Sequence, residues 1–215
     1  MQQFSDLAAV PYDRFVPQGV TISPEPLLRL QGYRDLDRVR DDVQGIAERM
    51  AACAEGLLAP EAYYRRVRIE NCTNGELVLE TGTTFHSAEL AKAMTGCHEL
   101  VAFVLTLGPK IDAKTEAYLK NDDVVEALFL EAAGWIAIER ATKELAQHLW
   151  SLISGLGLRL GRRLGPGYAD WSLEEQRPLF GLLADAPLQV SLLDSCAMIP
   201  KKSRSGLYGL LPART

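Results

Sequence analysis

The sequence predicts one α+β domain, in which a mixed or antiparallel twisted sheet is packed by helices. Two segments of alternating hydrophobicity flank Asn74-Gly75, which is a strong hairpin signal. A single helical pattern continues from about 122 to 154. No internal repeat or low-complexity linker divides the chain. We therefore interpret residues 1–215 as a single domain, with 1–60 as its amino-terminal helical arm.

The order of elements follows from the spacing of apolar residues, which recur every three or four positions in helices and every second position in strands. Turn and cap residues indicate where each helix or strand begins and ends, as Pro109 does in the first turn of a helix. In chain order the predicted elements are a helix over 35–58, strands over 66–70 and 76–80, a helix over 89–94, a central strand over 99–106, a helix after 109, a long helix over 122–154, a short helix over 173–183, and strands over 188–193 and 203–208.

The amino-acid composition and net charge argue against several classes of protein. The hydrophobic share of 47% is ordinary for a globular chain, and the net charge of −5 argues against nucleic acid as a partner. No apolar run approaches the ~20 residues that span a bilayer, and the start lacks the pattern of a signal peptide, so we expect no membrane partner and a cytoplasmic protein. The 4 cysteines are scattered without a C-x-x-C pair, which predicts free thiols.

The segment Arg163-Leu-Gly-Pro-Gly-Tyr168 is the strongest candidate for a ligand-binding loop. Pro166 fixes one φ angle and Gly167 frees the next, so the backbone can turn sharply and approach a ligand closely. Arg163 offers a planar fork for a carboxylate, and Tyr168 offers a ring face and a hydroxyl. Two later motifs, at 195–198 and 203–208, are considered together with this loop as one candidate site.

Together these motifs resemble the activation domain of cobalamin-dependent methionine synthase, which binds S-adenosylmethionine. The likeness is carried by R-x-x-P-G-Y at 163–168, S-x-A-M-x-P at 195–200 and S-x-S-G-x-Y at 203–208. Upstream, Leu105-Thr-Leu-Gly108 and Ala137-Ile-Glu139 extend it to roughly the last two-thirds of the chain. The resemblance implies the fold of an activation domain in a free-standing form.

The resemblance also implies roles for single residues. Arg163 would bind the carboxylate of the methionyl part, and Tyr168 would contact the ligand beside it. Glu139, or Glu144 in a nearby register, would face the cationic groups of the ligand. The simpler alternatives are a surface arginine, a core tyrosine and a solvated helix face. The candidate ligand-binding residues are Glu139, Arg163, Gly165, Pro166, Gly167, Tyr168, Ser203, Ser205 and Tyr208.

Neither a catalytic acid or base nor a metal ligand is expected, because cobalt is the nucleophile in the implied reaction and the sulfonium carries its own leaving group. That reaction is the reductive methylation of cob(II)alamin, with a methyl group from S-adenosylmethionine and an electron from a flavodoxin-like donor. The sequence lacks the cobalamin-binding signature D-x-H-x-x-G. Cobalamin would therefore be carried by a partner chain.

The leading hypothesis is a reactivation module of a split cobalamin-dependent methionine synthase, or of a related corrinoid methyltransferase. The alternative is a non-catalytic binding or structural subunit of such a complex. The short segment after 203–208 favours the alternative, because the family domain continues further and supplies another tyrosine there. Arg163 and Tyr168 favour the module. An ordinary S-adenosylmethionine methyltransferase is disfavoured, since no strand leads into a Gly-rich nucleotide loop.

Overall fold

The computed structural model describes residues 12–213, which form six α-helices and nine strands. The helices are α1 (Pro24–Leu30), α2 (Asp41–Leu57), α3 (Ala88–Ala93), α4 (Lys110–Lys120), α5 (Val124–Ser154) and α6 (Gln176–Gly181). The strands are β1 (Asp13–Phe15), β2 (Glu61–Thr73), β3 (Glu76–Leu79), β4 (Thr84–His86), β5 (Glu99–Thr106), β6 (Leu158–Leu164), β7 (Ser191–Leu192), β8 (Met198–Ile199) and β9 (Ser203–Pro212). None of the described helices is both long and apolar enough to cross a membrane.

An antiparallel sheet with strand order β4-β3-β2-β5-β9-β6 forms the centre of the fold, and β1 adds to β2. β5 pairs with β2 and with β9 along its whole length. All of its residues after Glu99 are buried. The prediction of an apolar central strand is confirmed, as are the α+β class and the hairpin around Asn74-Gly75.

Each face of the sheet carries its own hydrophobic core, because side chains alternate between the faces along a strand. Phe103 and Tyr208 point to the face covered by α1, α2 and α5. Val104 and Leu207 point to the opposite face, where α3, α6 and Trp171 pack. The alternation along β9 also decides which residues of the 203–208 motif share a face.

The long helix α5 confirms the element predicted over 122–154 and spans 31 residues. Gly134 lies against the side chain of Lys202, the residue that precedes β9. A Cβ at Gly134 would lie 2.5 Å from Cε of Lys202, whose side chain is fully buried against the helix. Helix propensity disfavours glycine in a helix interior. The lysine stem therefore accounts for glycine at this position.

Several boundaries differ from the predictions. The helix expected over 35–58 is a 3-10 turn, Leu36–Arg38, followed by α2. The helix expected over 173–183 is likewise a 3-10 turn, Leu173–Glu175, followed by α6. The strand expected over 188–193 is reduced to β7. Hydrophobic periodicity indicates which residues face the core, but it does not fix where the backbone enters or leaves a regular helix or strand.

Five elements were not predicted at all: β1, α1, β4, β6 and β8. α1 begins with Pro24 and includes Pro26, since proline fits the first turn of a helix. β6 occupies the stretch after Gly155 that we interpreted as a break before the loop. Its strand geometry depends on pairing with β9, where Gly161 leaves room for the carbonyl of Gly209, 3.1 Å from a Cβ at that position.

Candidate functional site

The R-x-x-P-G-Y segment leaves the edge strand β6 and turns back at Gly167. The φ of Gly167 is +87°, and its N–H donates to the carbonyl of Trp171 at 2.8 Å. The N–H of Trp171 in turn donates to the carbonyl of Tyr168 at 3.1 Å. This geometry agrees with the sharp turn predicted from the Pro-Gly pair.

The far end of the loop is anchored to α3. The carboxylate of Asp170 accepts hydrogen bonds from the Ser87 hydroxyl at 2.5 Å and from the Ala88 N–H at 2.7 Å, so it caps this helix. The hydrogen bond from Ser87 lowers the pKa of Asp170, with the backbone N–H groups acting in the same direction. Trp171 is only 3% exposed and packs edge-on against Phe85. Its position shows that it closes the core beneath the loop.

Arg163 is held on two sides. Its guanidinium carbon lies 5.7 Å from the centre of the Tyr168 ring, and Nη1 donates to the carbonyl of Ser205 at 3.3 Å. A Cβ at Gly165 would lie 3.1 Å from this Nη1 and 3.3 Å from the Ser205 carbonyl. The missing side chain at Gly165 thus leaves room for the guanidinium beside the strand.

Two cavities meet at Arg163, Gly165 and Tyr168. The larger, of about 320 Å³, also contacts α5, α6 and the start of β9. The smaller, of about 210 Å³, lies between the loop and α3. Six of the candidate residues line the larger cavity: Arg163, Gly165, Pro166, Tyr168, Ser203 and Ser205. The larger cavity reaches the lower end of the volume range typical of small-molecule sites.

Both serines are tied into the protein by their hydroxyl groups. Ser203 donates to Thr106 Oγ1 at 2.9 Å. Ser205, which is buried, donates to Oε1 of Gln176 at 2.8 Å. Each oxygen keeps acceptor capacity after donating its proton. The pair therefore presents fixed polar groups to the larger cavity.

Tyr208 and Glu139 lie outside both cavities. Tyr208 is 4% exposed and stacks on Phe103 with 5.3 Å between ring centres, and burial raises the pKa of its hydroxyl. Oε1 of Glu139 lies 2.6 Å from Nη2 of Arg204, whose hydrogen bond lowers the pKa of Glu139. Glu139 instead lines a third, open groove next to α1. Gly167, the remaining candidate, also lies outside both cavities and instead forms the turn of the loop.

Trp135, Gln176 and Arg204 are among the residues of the larger cavity that sequence reasoning missed. Trp135 sits in the long helical pattern, where an apolar residue is expected to be buried, yet it is 52% exposed. Gln176 follows the loop within the same stretch of sequence and is almost fully buried. Its position close to the candidate loop is the one signal in the sequence that could have indicated it.

The described residues contain no group of three or more His, Cys, Asp or Glu side chains placed to hold a metal ion. All four cysteines are free thiols, with Cys97 and Cys196 buried. Burial raises the pKa of Cys97, which keeps this thiol protonated.

The described elements define an α+β fold in which a long helix crosses one face of an antiparallel sheet and a glycine turn lies at the sheet edge. A crystal structure of the MetH reactivation domain bound to AdoHcy matches this fold with a TM-score of 0.63, over 95% of this chain and 79% of that chain. The two sequences are 17% identical, so the likeness concerns the fold. No family model matches the sequence, and no curated protein matches it either.

Proposed function

We propose that the chain binds S-adenosylmethionine and serves as a reactivation module for a cobalamin-dependent methionine synthase of split type, or for a related corrinoid methyltransferase. The observation that carries the proposal is the cavity at the edge of β6, which gathers an arginine, an exposed tyrosine and two fixed serines on the fold of the MetH reactivation domain. AdoHcy, bound in that structure, is what S-adenosylmethionine becomes when it loses its methyl group.

The positively charged side chains that line the larger cavity suit a carboxylate group of a ligand. Arg163 and Arg204 both line it, and Lys201 adds a third cation at the rim. A guanidinium can bind a carboxylate through two parallel N–H groups, and such charge-assisted hydrogen bonds contribute about 1.5–3 kcal/mol each. We propose that Arg163 binds the carboxylate of the methionyl part, because its guanidinium is already oriented by Tyr168 and Ser205.

The cationic groups of the ligand need acceptors. Glu139 stays our candidate for this role, since Arg204 stabilises its ionised form and two-thirds of its side chain is exposed. It would act from the rim, beside Trp135, because it does not line the cavity itself. The hydroxyl oxygens of Ser203 and Ser205 supply neutral acceptors deeper inside.

Cobalamin would be carried by a separate subunit. The two cavities at the loop measure about 210 and 320 Å³, which suits the amino-acid and nucleoside parts of S-adenosylmethionine and is small for a corrin with its nucleotide tail. When bound to its own subunit, the corrinoid supplies the cobalt that accepts the methyl group. The residues described here would hold and orient the methyl donor. A flavodoxin-like protein would supply the electron, and the free thiols suit the cytoplasm as the compartment.

A non-catalytic subunit of a corrinoid methyltransferase complex is the second candidate. One observation favours it: Tyr208 is buried in the core and Glu139 is paired with Arg204, and neither residue lines the cavities at the loop. Such a subunit would bind the corrinoid protein without binding S-adenosylmethionine.

Calorimetric titration separates the two candidates. The purified chain is titrated with S-adenosylmethionine, alone and together with a corrinoid protein in the cob(II)alamin state. Saturable binding, followed by conversion of the cob(II)alamin absorbance into that of methylcobalamin when an electron donor is added, would support the reactivation module. Association of the two proteins without binding of S-adenosylmethionine would support the non-catalytic subunit. Absence of both would refute both candidates.

A further inference from the structure

Trp135 is placed like a ligand contact. It projects from α5 into the larger cavity and is 52% exposed. The same residue also borders the groove beside α1, so it separates the two openings. A large aromatic surface left half exposed at a cavity favours a binding role, because its burial by a ligand stabilises the complex.

A buried lysine, Lys202, contacts the indole ring of Trp135. Nζ of Lys202 lies 5.2 Å from the centre of the ring and 2.6 Å from Oε1 of Glu131. The lysine side chain is completely buried. It passes α5 at Gly134, the residue next to Trp135 in sequence. The ring therefore contacts an ammonium group that is itself held in place by an ion pair.

The Trp135 ring already makes a cation–π contact with Lys202, whose charge is balanced by Glu131. The half-exposed indole also offers the cavity a flat aromatic surface, on which a neutral heteroaromatic group gains dispersion and stacking energy. Adenine is the flat, aromatic part of S-adenosylmethionine and is therefore well suited to Trp135.

Tyr168 is the other exposed ring at the cavity, with 66% of its surface accessible. Its ring lies against the guanidinium of Arg163, the group proposed to bind the carboxylate. Tyr168 therefore belongs to the methionyl end. Trp135 is the aromatic surface that remains for the opposite end of the ligand.

We infer that Trp135 is the stacking surface for the adenine ring of S-adenosylmethionine and determines specificity for the nucleoside end of the ligand. This inference rests on the proposed function. Stacking of a base on an aromatic side chain is worth about 1–3 kcal/mol, so its loss weakens binding by roughly 5- to 150-fold.

The test compares Trp135→Ala and Trp135→Phe with Trp150→Ala. Trp150 lies on the same helix, is 57% exposed and lines neither cavity at the loop, which makes it a matched control. Affinities are measured for S-adenosylmethionine and for AdoHcy, which has the adenine but lacks the positive sulfonium. We expect Trp135→Ala to weaken both ligands about tenfold or more. Trp135→Phe should retain part of the affinity, and Trp150→Ala should match the wild type.

Tryptophan fluorescence gives an independent readout, since the chain has only 3 tryptophans. Ligand binding should quench the emission of the wild type and of Trp150→Phe, and the quenching should be lost in Trp135→Phe. Wild-type affinity in Trp135→Ala would overturn the inference while leaving the proposed function intact. Weaker binding of S-adenosylmethionine with unchanged binding of AdoHcy would place the sulfonium on the indole and also overturn it. Failure of the wild type to bind either ligand would refute the proposed function itself.

Discussion

The guanidinium of Arg163 lies 5.7 Å from the centre of the Tyr168 ring, while its Nη1 donates to the carbonyl of Ser205 at 3.3 Å. The contact joins the two ends of the R-x-x-P-G-Y motif through space. An arginine held in this way has lost much of its rotamer freedom before a ligand arrives. Pre-organisation of this kind lowers the entropic cost of binding.

Replacing Arg163 by Ala should weaken binding of S-adenosylmethionine about tenfold or more, because a charge-assisted pair with the carboxylate is lost. Arg163→Lys should recover only part of the affinity, since an ammonium lacks the planar fork. Arg38→Ala is the control, because Arg38 is exposed, pairs with Asp35 at 3.2 Å and lines neither cavity at the loop. Calorimetry measures all three variants. Equal affinities for Arg163→Ala and Arg38→Ala would remove Arg163 from the site.

Replacing Gly167 by Ala should destabilise the protein by about 1 kcal/mol and weaken ligand binding, because the φ of +87° is unfavourable for a residue with a Cβ. The new Cβ would also lie 3.3 Å from Cδ1 of Leu173. Gly181→Ala is the matched control, since it ends α6 and has no atom within 4 Å of its Cβ position. Urea unfolding checks both variants. A Gly167→Ala protein as stable as Gly181→Ala would contradict the turn geometry.

Gly134→Ala should have opposite effects in two backgrounds. In the wild type the new Cβ would meet Cε of Lys202 at 2.5 Å, so the variant should lose stability by about 1–3 kcal/mol. In a Lys202→Ala background the clash is absent, and alanine should stabilise the helix by up to about 1 kcal/mol. A double-mutant cycle followed by thermal unfolding measures this coupling. The same sign in both backgrounds would show that Lys202 is not the cause.

His148 should make stability depend on pH. Its ring stacks on Phe15 at 4.3 Å and its Nε2 lies 3.0 Å from the Tyr64 hydroxyl. Burial lowers its pKa below the ordinary 6.5, although Asp13 acts in the opposite direction. The folded state thus favours the neutral ring, and its contribution to stability is full above pH 6.5 and is lost as pH falls through the lowered pKa.

The slope from this one proton is at most about 1.4 kcal/mol per pH unit. Urea unfolding of the wild type and of His148→Gln between pH 7.5 and 5 isolates the contribution, because glutamine keeps a polar side chain and does not titrate. The difference in free energy of unfolding between the two proteins should shrink as the solution becomes more acidic. A difference that stays constant over this range would mean that His148 does not titrate there.

Local patterns in the sequence determined a large part of the fold. Alternation around Asn74-Gly75 predicted the β2–β3 hairpin, apolar spacing predicted α5, and continuous hydrophobicity predicted β5. The turn at Gly167 likewise follows from the Pro-Gly pair. All of these signals act over a few residues, because they reflect helical and strand periods and the φ angles that single residues permit.

The tertiary structure alone decided what surrounds the candidate site. The Arg163–Ser205 contact joins residues 42 positions apart, and the Lys202–Glu131 pair joins residues 71 positions apart. The exposure of Trp135 and the burial of Tyr208 depend on how β9 pairs with β6 and packs under α5. No periodicity within a segment encodes such distant partners, because a side chain's burial depends on which other elements pack against its face.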